Sequence, residues 1–122
     1  MGNKYNVSQI STITKLSAYT LRYYEQIGLL PNIARDRNGY RIYSDNDIAL
    51  IQFLNCLKGA GMPVKTMIEF IRLMYEGEIP SQLKILKQHK RNVEKRIELL
   101  QGSLTAVNYK IDYYTKKIGS PE

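Results

Sequence analysis

From Ile79 onward the chain spaces its apolar residues in a way that few structures can use. Ile79, Leu83, Leu86, Lys90, Val93, Ile97, Leu100, Leu104, Val107, Ile111, Tyr114 and Ile118 follow at alternating steps of four and three, and only Lys90 breaks the apolar series. That is a coiled-coil seam of about five heptads. A helix over residues 81–118 would run ~57 Å at ~1.5 Å per residue, too long to fold back onto a chain of 122 residues. Its stripe has to be buried against another chain. The expectation is a homodimer, with Leu83, Leu86, Val93, Ile97, Leu100, Leu104, Val107, Ile111 and Tyr114 as dimerisation residues. Heptads leave the strand direction open. Gly102 within the seam costs up to ~1 kcal/mol relative to alanine, a small loss beside so long a stripe.

The residues before the seam divide into short elements. Asn6-Val7-Ser8-Gln9 has the form of a capping box, and Val7, Ile10 and Ile13 follow at helical spacing. This predicts a helix ending near Thr14-Lys15. Ser17 is the next N-cap, for a helix from about Ala18 to Ile27 that Gly28 stops. Two short helices joined by so tight a turn predict a helix-turn-helix. On the second helix Tyr19, Arg22, Tyr23 and Gln26 share one face, while Leu21 and Tyr24 turn toward Val7, Ile10 and Ile13. Arg22 and Tyr23 then point outward as groups able to donate to phosphate oxygens or base edges.

The stretch Arg35-Asp36-Arg37-Asn38-Gly39-Tyr40-Arg41-Ile42-Tyr43 reads as a hairpin. Asn-Gly predicts a type I′ turn, in which both central residues take positive φ. Arg35, Arg37 and Arg41 make the hairpin a basic wing beside the second helix, and such a pair is a coherent DNA-binding unit. Ser44-Asp45-Asn46-Asp47 caps a third helix running to about Lys58, ended by Gly59-Ala60-Gly61. Pro63 opens a fourth, which carries a core stripe of Val64, Met67, Ile68, Ile71 and Met74.

Charge agrees with a polyanionic partner. Eighteen basic against eleven acidic residues give a net charge of +7. A single cysteine excludes an internal disulfide and fits a reducing cytoplasm. No apolar run approaches the ~20 residues of a membrane span and no signal-peptide hydrophobic region is present, so a cytoplasmic protein with no membrane partner is expected.

In order and without a gap, "TLRYYEQIGLL", "NGYRIYSDNDI" and "LKGAGMPVKTMIEFI" resemble the N-terminal domain of MerR-type transcription regulators over roughly residues 5–75. The resemblance implies a mostly α fold: a winged helix-turn-helix DNA-binding domain over 1–75, a linker at 76–80, an antiparallel coiled-coil dimerisation helix over 81–118 and a tail at 119–122. It places the recognition helix at Ser17–Gln26 and the wing at Asn32–Tyr43, with backbone contacts from Arg22, Tyr23, Tyr40 and Arg41. It also implies that the hydroxyl of Tyr24, which the helical wheel turns inward, reaches DNA. Lys58 resembles a position that reaches a phosphate; the alternative is a solvated lysine favoured by the helix dipole. The candidate DNA-contacting set is Ser17, Tyr19, Thr20, Arg22, Tyr23, Tyr24, Arg35, Arg37, Asn38, Tyr40, Arg41 and Lys58. The implied partner is a pseudo-palindromic promoter duplex, with RNA polymerase acted on through that DNA: such regulators distort an overlong promoter spacer to activate transcription.

What such a regulator senses depends on its other residues. The sequence stops four residues past the seam, so the expectation is a chain without the large drug-binding domain of some family members. Metal-sensing members carry cysteines near the end of the dimerisation helix; here there are none, and the single His89 cannot make a site. No metal and no cofactor are expected. That leaves Cys56, which a helical wheel puts at the margin of a cluster formed by Leu50, Phe53, Leu54 and Leu57, with Lys58 nearby. "FLNCLKGAGMPVKTMIEF" resembles the single-cysteine branch of the family (AdhR/NmlR-like) that answers aldehydes and other thiol-reactive electrophiles. Cys56 is therefore the candidate sensor, by addition to an electrophilic carbon or oxidation to a sulfenic acid. The alternative is a constitutive or small-ligand-responsive regulator in which Cys56 is a packed filler. An enzyme is not expected, since no phosphate-cradling loop, no paired carboxylates and no acid–base partner for Cys56 can be found.

Overall fold

A computed structural model describes residues 2–119 of the protein. The elements run β1 (Lys4–Tyr5), α1 (Val7–Thr14), α2 (Ala18–Gln26), β2 (Ala34–Arg35), β3 (Arg41–Ser44), α3 (Asp45–Gly59), α4 (Val64–Glu76) and α5 (Ile79–Ile118). They divide into one compact unit through Ile85 and a second from Leu86 onward, which is the remainder of α5.

Local signals set the helix boundaries in the first unit. Asn6 caps α1 through the Gln9 amide at 2.8 Å, and the Gln9 side chain accepts from the Asn6 backbone N–H at 2.8 Å. Ser17 caps α2 by accepting from Thr20 N–H at 3.0 Å. Ser44 and Asp47 form a second reciprocal box at the start of α3. Each such cap contributes about 1 kcal/mol. Gly28 ends α2 with φ +92°, a conformation that only glycine adopts without strain, and the Leu29 N–H closes back onto the Tyr24 carbonyl. Pro63 stands just outside α4 as its N-cap rather than in its first turn.

The core gathers Ile10 and Thr14 of α1, Leu21 and Tyr24 of α2, Leu29 and Leu30 after it, Tyr43 of β3, Ile51, Leu54 and Leu57 of α3, and Met67, Phe70, Ile71 and Leu73 of α4. Three faces depart from the sequence expectation. On α4 Phe70 and Leu73 are buried beside Met67 and Ile71, while Val64, Ile68 and Met74 are half-buried. Ile13 is exposed, and Thr14 takes the inward place with its hydroxyl satisfied on the Ile10 carbonyl at 2.7 Å. On α3 the buried line passes through Ile51 and Leu54, whereas Phe53 lies at the edge against Phe70, ring centroids 6.0 Å apart.

The sheet has three short antiparallel strands in the order β1-β3-β2, with Tyr5 opposite Tyr43 and Arg35 opposite Arg41. The wing's turn is not type I′. Asn38 does not take positive φ; only Gly39 does, at +86°. The Gly39 N–H bonds to the Asp36 carbonyl at 3.0 Å and the Asp36 N–H to the Tyr40 carbonyl at 2.8 Å, so a type I turn is followed by a left-handed glycine. Asp36 selects this form, because its carboxylate accepts from both Asn38 N–H (2.9 Å) and Tyr40 N–H (3.0 Å).

The α5 helix spans 40 residues and begins at Ile79, two residues before the expected start, with Pro80 in its first turn where no backbone N–H is required. None of its residues is buried. Leu83, Ile97, Leu100, Leu104, Val107, Ile111 and Tyr114 are all exposed, and Leu86 and Val93 are half-buried. Gly102 faces open space, so nothing in the single chain requires a glycine there.

Candidate nucleic-acid interface

Helical periodicity sorts α2 as its sequence predicts. Tyr24 and Leu21 are buried, while Tyr19 (73% exposed), Arg22 and Tyr23 face solvent. Ser17 is occupied at the helix start, accepting from the Thr20 N–H and donating to its Oγ1 at 3.0 Å; Thr20 is half-buried beside it. The wing presents Tyr40 (71% exposed), Arg37 and Asn38 near its tip. A concavity of about 380 Å³ brings the two elements together, lined by Asn6, Val7 and Ser8 of the α1 start, Arg22 of α2, and Gly39, Tyr40 and Arg41 of the wing.

The arginines fall into two classes. Arg22 and Arg37 make no hydrogen bond or ion pair among the described residues. Arg41 donates through Nε to both oxygens of Glu25, at 2.8 and 3.0 Å. Arg35 lies 3.5 Å from the same carboxylate and donates to the Gly39 carbonyl at 3.0 Å. The Glu25 hydrogen bond raises the pKa of Arg41, more than offsetting its partial burial, so its charge is permanent. Burial raises the Tyr43 hydroxyl's pKa, with the Glu25 charge adding to it, and that phenol stays neutral.

Sequence reasoning passed over Glu25 and Asp36. Asp36 left a signal, since Asp three residues before Gly marks a type I turn; Glu25 left none, because its partners Arg35 and Arg41 lie far along the chain.

Lys58 and Cys56 sit near the end of α3. Lys58 Nζ reaches back to the Tyr24 hydroxyl at 3.4 Å and lies 5.7 Å from that ring's centroid, an aromatic contact rather than a fully solvated end. The thiol itself is exposed rather than at a core margin. At ~100° per residue it lies roughly 160° around the helix from Leu54, and the burial of Ile51 carries the inward face further from it.

The described residues contain no group of three His, Cys, Asp or Glu side chains placed to hold a metal ion, and no helix among them is long and apolar enough to cross a membrane.

Comparison with known proteins gives this arrangement a lineage. An HTH-type transcriptional regulator of Haemophilus influenzae is 34% identical over 114 residues, covering 92% of this chain and 84% of that protein. The HTH-type transcriptional regulator AdhR of Bacillus subtilis is 40% identical over 73 residues, which cover 60% of this chain and 52% of AdhR. Among solved structures, HiNmlR, a MerR family regulator lacking the sensor domain and bound to promoter DNA, superposes with a TM-score of 0.87 at 33% identity. That superposition covers 93% of this chain and 92% of HiNmlR. Residues 5–73, from β1 through nearly all of α4, match the family model described as MerR HTH family regulatory protein. The chain belongs to the MerR family of transcription regulators.

Proposed function

We propose that two copies of this chain pair through α5 and bind a pseudo-palindromic promoter, each laying the outward face of α2 in the major groove and its wing on the adjacent backbone. The observation that carries this reading is the concave surface on which Arg22 and Tyr40 meet, with Arg22 and Arg37 without a hydrogen-bond or ion-pair partner among the described residues. A guanidinium without an internal carboxylate keeps all its donors for phosphate or for a guanine edge. That HiNmlR is bound to promoter DNA supports promoter DNA as the partner of this chain. Tyr19, Tyr23, Tyr40, Arg41 and the arginines at 22 and 37 are the direct contacts in this reading; Ser17 and Thr20 shape the helix start. Lys58 acts through Tyr24.

The regulatory step we assign is distortion of an overlong promoter spacer, which lets polymerase engage both promoter elements. Bending a duplex costs several kcal/mol, so a small shift at α3 is enough to choose between two complexes. Cys56 is the proposed trigger. Its sulfur adds to an aldehyde carbon, forming a C–S bond as the carbonyl π pair moves to oxygen and takes up a proton. With a peroxide, the sulfur instead takes one oxygen as sulfenic acid and the other leaves as water. Exposure of the thiol supports access for either reagent and weighs against a packed filler. A Cys56→Ser protein is expected to bind its promoter as the parent does and to lose induction by aldehyde in a reporter strain. Undiminished induction would remove the sensor and leave DNA binding standing.

A further inference from the structure

We infer that Glu25 is a positioning residue that fixes the wing to α2 and presents Arg41 to the DNA backbone. This rests on the reading of α2 and the wing as the DNA-contacting surface.

Glu25 stands in the last turn of α2 with its side chain 18% exposed, beside an Arg41 side chain that is 21% exposed. Its carboxylate takes two hydrogen bonds from Arg41 of β3 and lies 3.5 Å from Arg35 of β2, whose Nη1 grips the Gly39 carbonyl at the far end of the turn. One acid on the helix thus holds both strands and the turn. The outer strand has little else to fix it: β3 is anchored by β1 and by the buried Tyr43, but β2 is two residues long, both exposed.

Arg41 spends only its Nε on this bond, and its two Nη groups make no hydrogen bond among the described residues. A guanidinium held along one edge keeps the other for a second anion; an ammonium, a point charge without a planar fork, cannot be oriented this way. Arg41 therefore differs from Arg22 and Arg37, which reach DNA from flexible side chains.

The inference opposes simple charge counting. Removing a carboxylate from a surface that meets a polyanion should tighten binding through the long-range field. If Glu25 positions Arg41 and the wing, removing it weakens binding instead, and the loss falls on the phosphates the wing touches. The direction of the change decides.

The test uses the full-length protein, as the parent, Glu25→Gln and Arg41→Lys, on a duplex from the DNA flanking its own gene. Affinity, phosphate-ethylation interference and thermal melting are measured on each. The expected result for Glu25→Gln is binding about tenfold weaker, with interference lost at the flanking phosphates and kept at the central ones. Arg41→Lys, which leaves net charge unchanged, is expected to give the same pattern, and it carries the test if Glu25→Gln melts at the assay temperature. Equal or tighter binding by Glu25→Gln with the flanks unchanged, or an Arg41→Lys protein indistinguishable from the parent, overturns the inference. So does a loss spread evenly over centre and flanks, which would make the pair purely structural. A parent that binds no duplex defeats the reading of α2 and the wing, and this inference with it.

Discussion

Aspartate at both Ile97 and Leu104 is expected to leave a 14.1 kDa monomer that no longer holds its promoter. In the single chain these residues are 50% and 60% exposed on a helix with no buried residue. Pairing buries each for about 1.5–3 kcal/mol, and an unpaired carboxylate in the same place costs several kcal/mol more. Both copies carry both changes, so the total exceeds the ~8 kcal/mol that holds a micromolar dimer. The DNA-contacting unit should keep its fold, because its core is built from residues 10–73. Light scattering reads the mass and gel shift reads the binding, which should fall by at least about a thousandfold as one half-site is lost. A variant that remains dimeric would show that the seam is not what joins the chains.

The second large effect needs no mutation. If each protomer contributes about three phosphate contacts through the wing and the outward face of α2, about six counterions leave on binding. The affinity should then drop on the order of a thousandfold between 50 and 200 mM salt. Nothing in the net charge of +7 alone would impose so steep a slope, because diffuse charge does not displace condensed ions one for one. A nearly flat plot of affinity against salt contradicts an interface built on the arginines of α2 and the wing.

Most of the fold could be read from the sequence where one residue type has one physical reason to sit in one place. Asn6-x-x-Gln9, Ser17, Ser44-x-x-Asp47 and Gly28 satisfy backbone groups locally, and each was found where the sequence put it. The inward Tyr24 and outward Arg22 and Tyr23 follow from a period of 3.6 residues and need no knowledge of neighbours. What failed depended on neighbours. Phe53 belongs on an apolar arc by its wheel angle, yet it stays partly exposed at the edge of the core, its ring tilted 49° against that of Phe70. The wheel gives angles within a helix but not where the next helix lies. β1 is two residues long and exists because β3 offers it an edge, so Lys4-Tyr5 carries no pattern to read.

The candidate site divides in the same way. Free cations and exposed tyrosines are legible from spacing. The pairing of Glu25 with Arg41 joins residues 16 apart, and Lys58 lies 34 residues from the Tyr24 it contacts. Such pairs depend on how the chain folds back. Asn38-Gly39 misled because the dipeptide is a strong hairpin signal, while Asp36, two residues before Asn38, decided the turn.

The most direct measurement is a hydroxyl-radical footprint of the full-length protein on the DNA flanking its own gene, at low ionic strength. A paired molecule that places two copies of α2 in the major groove predicts two protected tracts related by a dyad, their centres one helical turn or a multiple apart, ~34–36 Å per turn. A bare lane, or one tract without a symmetry mate, contradicts it.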